Sequence, residues 1–125
     1  PVVPGLTDEE IPRIAKAAAD AGAKHAGFIM LRLPYAVAPL FEAWLDQHYP
    51  ARKDRILNRV RSMRGGNLYK SEFGSRMSGE GFHAEQIANL FKICCNKYGL
   101  NKTEIKLSTD AFRHPDGAQL QLFDS

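Results

Sequence analysis

The first third of the chain alternates between apolar segments and a helical pattern. Residues 1–5, PVVPG, are typical of a buried strand end followed by a turn, and residues 7–10, TDEE, have the spacing of a capping box. Residues 26–33, AGFIMLRL, are almost continuously apolar, as in a parallel strand covered on both faces. Between them, apolar residues recur at helical spacing up to Gly22: Ile11, Ile14, Ala15, Ala18 and Ala21. This order predicts a βαβ unit.

The rest of the chain has the apolar spacing of helices. One helix is predicted after Pro34, a second from Pro50, and a third over Phe82–Tyr98, which Gly99 ends. Their expected inward-facing residues are Val37, Leu40, Phe41, Trp44, Leu45, Ile56, Leu57, Val60, Met63, Ile87, Leu90, Phe91 and Cys94. The fold class predicted from these patterns is α/β, predominantly helical.

Two long segments show neither helical nor strand periodicity. Residues 64–81 contain five glycines and are predicted to form a loop, which at this length is usually functional or disordered. Residues 102–125 are predicted to be an extended tail. Its apolar residues are expected to anchor it to the protein surface: Leu107, Phe112, Leu120, Leu122 and Phe123.

Composition and cysteine content exclude two classes of protein. The 125 residues are 44% hydrophobic and 25% charged, which is usual for a globular domain. The longest apolar run is far shorter than the roughly 20 residues that span a bilayer, so we expect no membrane segment. The only cysteines, Cys94 and Cys95, are adjacent, and a disulfide between neighbours is strained. A disulfide scaffold is therefore excluded, and a reducing, cytoplasmic compartment is indicated.

Residues 52–76 carry most of the positive charge. This segment has eight basic and two acidic residues, whereas the whole chain has a net charge of +3. Its arginines, glycines and the aromatic residues Tyr69 and Phe73 could hold phosphates and stack on a base. The alternative is a solvated helix face beside a mobile loop. The sequence leaves both interpretations open.

Arg32 and residues 3–5 follow the two predicted strands. Ligands of parallel α/β folds bind beyond the C-terminal ends of the strands. Arg32 is therefore either paired internally or directed at a ligand, and Pro4 and Gly5 are expected to expose backbone groups at the same edge. The four histidines show no metal-ligand spacing, so no metal site is predicted.

Several segments in order resemble one enzyme family. PVVPGLTDEEIPRIAKAAADAGA, FIMLRLP, PLFEAWLDQHYPARKDRILNRVRSMRGG, FGSRMSGEG and LSTDAFRHP…QLQLF are similar to the C-terminal part of radical S-adenosylmethionine proteins. The group they resemble is related to spore photoproduct lyase and to proteins described as DNA-repair photolyases. The resemblance runs over nearly the whole chain.

This resemblance implies a fold and a chemistry. The family has a partial (β/α)6 barrel that holds a [4Fe–4S] cluster and S-adenosylmethionine, from which a 5′-deoxyadenosyl radical is made. Residues 1–34 would then be a truncated βαβ remnant of the barrel, and residues 35–125 a C-terminal helical extension. Val3, Pro4, Gly5 and Arg32 would lie near the cofactor. The extension motifs supply candidate substrate or nucleic-acid residues: Arg64, Gly65, Gly66 and Arg76.

The chain departs from the family at the cluster. The family's CxxxCxxC motif is absent, and Cys94-Cys95 does not fit it. We therefore expect the N-terminal barrel to lie on a missing part of the same polypeptide. This chain alone is expected to bind neither cluster nor cofactor and to be inactive, and an exposed strand edge is expected to promote self-association. The alternative function is a small helical nucleic-acid-binding module that uses residues 52–76.

Overall fold

The protein is helical throughout its ordered elements. A computed structural model describes residues 1–113. The predicted anchors Leu120, Leu122 and Phe123 lie outside that range. The elements are a 3-10 turn Asp8–Glu10, α1 Ile11–Asp20, α2 Val37–His48, a 3-10 turn Pro50–Arg52, α3 Lys53–Ser62, α4 Ser75–Ser78 and α5 Phe82–Tyr98.

The prediction of a predominantly helical protein is confirmed, but the predicted βαβ sheet is wrong. Among residues 1–113 no strand forms, and a single parallel bridge joins Val2 to Met30. The Val2 amide donates to Ile29 O at 2.8 Å, and the Leu31 amide donates to Val2 O at 2.9 Å. Pairing goes no further because Pro4, at the next paired position, has no amide hydrogen, and Leu31 O, which that amide would reach, accepts from Arg64 Nη2 instead. The Met30 amide donates to Met77 O, and the Val3 amide donates to the Thr7 hydroxyl, both at 2.8 Å.

The predicted capping box before α1 is also wrong. Thr7 Oγ1 makes no bond to the helix amides; it accepts from the Val3 amide instead. Asp8 Oδ1 accepts from the Gly5 amide at 3.0 Å. Both side chains therefore hold this turn, because the amides of residues 3 and 5 compete with the amides of the helix terminus for these side-chain acceptors.

Two glycines end helices as the sequence predicts. Gly22 follows α1 with φ +93°, and Gly99 follows α5 with φ +74°. After α5 the Leu100 amide donates to Cys95 O at 2.9 Å, which is the six-to-one bond of a Schellman motif. Leu100 is buried beneath it. Asn101 then turns the chain, with φ +58°, towards the segment that precedes Met30.

Asn101 acts as a strand partner for that segment. Its side-chain oxygen accepts from the Ala26 amide, and its side-chain nitrogen donates to Ala26 O, both at 2.8 Å. Its own amide donates to Lys24 O at 2.8 Å. These three bonds fix residues 24–26 against the end of α5 without a neighbouring strand.

The main core draws residues from both sides of the predicted boundary at residue 34. Helix α1 packs on α5, and Phe28 lies 4.7 Å from Phe91 between ring centroids. The division into 1–34 and 35–125 stays a prediction. The buried members of this core are Val2, Ile11, Ala15, Met30, Met63, Ala84, Ile87, Cys94, Cys95 and Leu100.

A second cluster of buried apolar residues lies between α2 and α3. Leu45, Ile56 and Leu57 form this cluster, as their helical spacing predicts.

Leu107 and Phe112 were predicted to anchor the tail, but both are exposed, so that prediction is wrong for them. Among residues 1–113, no helix combines the length and the apolar character that crossing a membrane requires.

Candidate functional site

Arg64 lies in the middle of the basic segment 52–76, and its side chain is buried. Only 2% of it is exposed. Its Nη1 donates to Ser75 O at 2.8 Å and its Nη2 donates to Leu31 O at 3.0 Å. The guanidinium thus joins the start of α4 to the segment that carries Arg32. Its predicted contact with substrate or nucleic acid would require a ligand to reach a buried side chain.

Among residues 1–113, no acidic side chain contacts Arg64 to neutralise its charge. Burial, and then the neighbouring positive charge of Arg32, lower the pKa of the Arg64 guanidinium, while Glu80 opposes this effect. The Glu80 carboxylate is itself bound by Lys70 Nζ at 3.1 Å. Within residues 1–113, neither Arg32 nor Arg64 has a carboxylate at salt-bridge distance. The Arg32 guanidinium is thus close enough to act on the charge of Arg64, and within residues 1–113 no carboxylate pairs with either group.

Arg32 and Ser75 have polar atoms without partners. Arg32 is half-buried, and its Nη1 lies 3.7 Å from Met77 Sδ, a weak acceptor. Arg32 Nε and Ser75 Oγ are buried and make no hydrogen bond within the described part of the chain. Of the two alternatives for Arg32, an internal ion pair is not found among these residues. An unpartnered buried donor is costly, so it calls for a physical explanation.

The turn at residues 3–5 lies beside Leu31 through the Val2–Met30 bridge, but it is closed. Pro4 is buried, and the amides of Val3 and Gly5 are bonded to Thr7 and Asp8. The Val3 carbonyl accepts from two amides of the same turn. Pro4 and Gly5 were expected to expose backbone groups at this edge, but Pro4 is buried and the Gly5 amide is already bonded within the turn. A cofactor role for Val3, Pro4 and Gly5 stays a prediction.

An ion pair that the sequence did not indicate lies beside this turn. Arg59 Nη1 lies 3.3 Å from Asp8 Oδ2, and both side chains are largely buried. A cleft of about 240 Å³ opens beside them, lined in part by Gly5, Arg55 and His83. Asp8 and Arg59 are 51 residues apart, so no local pattern indicates the pairing.

The segment after α3 contains Gly65 and Gly66 near its start, and Arg76 lies on α4, which follows it. Gly65 and Gly66 have φ of +65° and +91°, and the Gly66 amide donates to Arg61 O at 2.8 Å. These two glycines therefore make the turn that ends α3. The Arg76 guanidinium lies 5.2 Å above the Phe73 ring, which is 91% exposed.

About half of the basic side chains of residues 52–76 are already paired. The pairs are Arg52 with Glu9, Lys53 with Asp46, Arg59 with Asp8, and Lys70 with Glu72 and Glu80. Arg64 is buried. Arg55, Arg61 and Arg76 remain without an acidic partner among residues 1–113. The charge available to a phosphate backbone is smaller than the sequence indicates.

The residues present do not fit an iron–sulfur cluster. Cys94 and Cys95 are buried in the main core, and burial, then Cys94, raise the pKa of the Cys95 thiol, which disfavours the thiolate that iron requires. Among residues 1–113, no group of three His, Cys, Asp or Glu side chains could hold a metal ion.

Comparison with known proteins identifies no relative. No family model matches the chain, and no curated protein or solved structure matches it.

Proposed function

We propose that the chain is the C-terminal part of a radical S-adenosylmethionine enzyme. Its parent would carry the [4Fe–4S] cluster and the cofactor on a barrel, and would make the 5′-deoxyadenosyl radical there. This chain would supply the final parallel-bridged segments and a helical cover. The sequence resemblance suggests the family, and the arrangement of residues 1–33 gives the main structural support.

The observation that carries the proposal is the parallel bridge between Val2 and Met30. Helix α1 lies between the two bridged residues in sequence, as a helix does in a βαβ unit. The bridge brings the end of the first segment, Val3 to Gly5, beside Leu31 and so beside Arg32. In a barrel this end is where the active site lies. The two motif segments therefore meet at the end that the proposal requires.

An apolar groove beside the bridge gives further support. The groove is lined by Val2, Ile11, Ile14, Phe28 and Phe91, among others. Ile14 is 57% exposed at the surface of α1. We propose that the preceding βα unit of the parent barrel packs into this groove, because the groove continues from the bridged backbone. Barrel units pack side by side in this manner, with helices outside the strands.

The coding sequence and the complete polypeptide test the proposal together. The reading frame upstream of the Pro1 codon is expected to encode CxxxCxxC at about a barrel's length. The complete protein, purified without oxygen, is expected to contain about four iron and four sulfide per chain. A frame that opens immediately before Pro1 would overturn the proposal, as would a complete protein that holds no cluster.

A second candidate is a nucleic-acid-binding module, favoured by Phe73 and Arg76. An exposed aromatic ring beside a guanidinium is a surface on which an unpaired base can stack. Arg55 and Arg61 add charge on α3. Binding of single-stranded DNA to the isolated chain is expected to weaken steeply as salt rises, and Arg61→Gln is expected to lower the slope by about one. Binding that is salt-independent, or absent at low salt, excludes this candidate.

A further inference from the structure

Among residues 1–113, the buried side-chain polar atoms without a hydrogen-bond partner belong to Arg32 and Ser75, and Arg64 is bonded beside both. The Arg64 guanidinium donates to the carbonyl of Leu31, the residue before Arg32, and to the carbonyl of Ser75 itself. Arg32 reaches Met77 on the same short helix, α4. Arg64 therefore fixes the backbone at both residues whose side chains lack partners. We call this group of three residues the arginine–serine cluster.

The unpartnered atoms of this cluster are hydrogen-bond donors. Arg32 Nε can only donate, and the Ser75 hydroxyl donates one hydrogen. Both atoms are buried and without partners among residues 1–113. The two guanidinium charges add a positive potential, which no contacting carboxylate within those residues cancels. The missing partner is therefore an acceptor that carries negative charge.

We propose that the arginine–serine cluster binds a phosphate-type oxyanion. Arg32 would bind it side-on through Nε and one terminal nitrogen, as a guanidinium binds two oxygens of one anion. Ser75 Oγ would donate to a further oxygen. Arg64 would not contact the anion; it positions the other two residues and contributes its charge.

A phosphate suits the cluster better than a carboxylate. The donors come from two separate parts of the chain, residue 32 and α4, and a tetrahedral anion has oxygens outside one plane that donors from separate parts can share. Two neighbouring positive charges favour a dianion over a monoanion. Arg32 is half-buried as a residue, but its Nε and Ser75 Oγ are closed to solvent, so an anion reaches them only when neighbouring atoms move aside. This inference does not depend on the proposed enzyme function.

The test measures binding of inorganic phosphate to the chain at constant ionic strength, with potassium chloride as the balancing salt. Binding is followed by the rise in unfolding temperature and by the Nε–H resonance of Arg32 in an NMR spectrum. That resonance is assigned by its loss in Arg32→Lys. Phosphate is expected to raise the unfolding temperature and to shift the resonance. Arg32→Gln and Ser75→Ala are each expected to raise the dissociation constant about tenfold or more.

Arg13→Gln is the matched control, because it removes the same charge from an exposed arginine whose side chain bonds only Glu10, at 2.8 Å. It is expected to leave phosphate binding unchanged. Ser75→Ala removes no charge, so it tests the site even if Arg32→Gln fails to fold. The proposal is overturned if chloride stabilises as well as phosphate, or if Arg13→Gln weakens binding as much as Arg32→Gln.

Further ligands distinguish the sources of the phosphate. A nucleoside monophosphate that binds more tightly than inorganic phosphate would indicate a nucleotide. A short single-stranded oligonucleotide that binds still more tightly, and loses affinity in Ser75→Ala, would indicate a nucleic-acid backbone. Acetate that binds as tightly as phosphate would overturn the assignment to a tetrahedral anion and favour a carboxylate.

Discussion

At the scale of single residues, Arg64 shows how one side chain can define a region. Its planar fork has donors in fixed directions, and two of them reach carbonyls of segments that are 44 residues apart in the chain, Leu31 and Ser75. A single basic residue thus links the segment after the bridge to α4. Burying its charge is costly, and the two carbonyl bonds offset part of that cost.

Replacing Arg64 with lysine keeps the charge and removes the fork. A lysine ammonium cannot reproduce both bonds in the same geometry, so we expect Arg64→Lys to lower the free energy of unfolding by about 1–3 kcal/mol. Urea unfolding measures the change. The control is Arg55→Lys at an exposed position, which is expected to change stability by less than about 0.5 kcal/mol. Equal effects of the two substitutions would contradict the role given to Arg64.

Asn101 has a comparable role at the other end of the bridged segment. Asn101→Ala removes two bonds to Ala26 and places alanine at φ +58°, so we expect a loss of about 1–3 kcal/mol in the free energy of unfolding. Asn101→Asp keeps the acceptor and loses the donor, and its effect is expected to be smaller. Asn96→Ala, at an exposed position on α5, is the control and is expected to be nearly neutral.

At the scale of elements, the longer helices were predictable, whereas α4, inside the predicted loop 64–81, and the absence of a sheet among residues 1–113 were not. The periods of α1, α3 and α5 are visible in the sequence, and Gly22 and Gly99 mark two of their ends. The apolar run 26–33 has the composition of a parallel strand, but a strand requires partners, and the sequence does not show where its amides donate.

The candidate site was predictable only in part, for the same reason. Arg32, Arg64 and Arg76 stood out by residue type and local context. That Arg64 joins the segments of the other two depends on contacts distant in sequence. Ser75 carried no signal, because the hydroxyl of one serine among several becomes unusual only when burial removes its water. Thr7 and Asp8 likewise match a helix-capping pattern in the sequence. Only the folded structure shows that their side-chain oxygens accept from the amides of Val3 and Gly5 instead.

The turn at residues 3–5 gives a prediction for an element. Gly5 has φ +83°, and a Cβ there would lie 3.1 Å from Arg59 Cδ. We expect Gly5→Ala to lower the free energy of unfolding by about 1–2 kcal/mol from the backbone conformation alone, and by more because Arg59 must move. Gly65→Ala is the matched control, because Gly65 has φ +65° and open space around it. Equal losses in urea unfolding would show that contact with Arg59 contributes nothing.

At the scale of the whole molecule, the exposed apolar surface bears on the proposed parent enzyme. Ile14 lines the groove beside the bridge, whereas Ile93, which is 63% exposed on α5, does not. In the isolated chain both side chains are largely in water, so an aspartate at either position is expected to change stability little. In the complete polypeptide the proposal buries Ile14 against the preceding βα unit.

Ile14→Asp is therefore expected to have an effect that depends on the length of the protein. In the complete polypeptide it would bury a carboxylate without a partner, and we expect a loss of about 3 kcal/mol or more in the free energy of unfolding. In the isolated chain the loss is expected to stay below about 1 kcal/mol. Ile93→Asp, with the same change of side chain outside the groove, is expected to give small losses in both. If Ile14→Asp is equally mild in both proteins, the groove is not covered by the parent barrel, and the arrangement inferred from the Val2–Met30 bridge is incorrect.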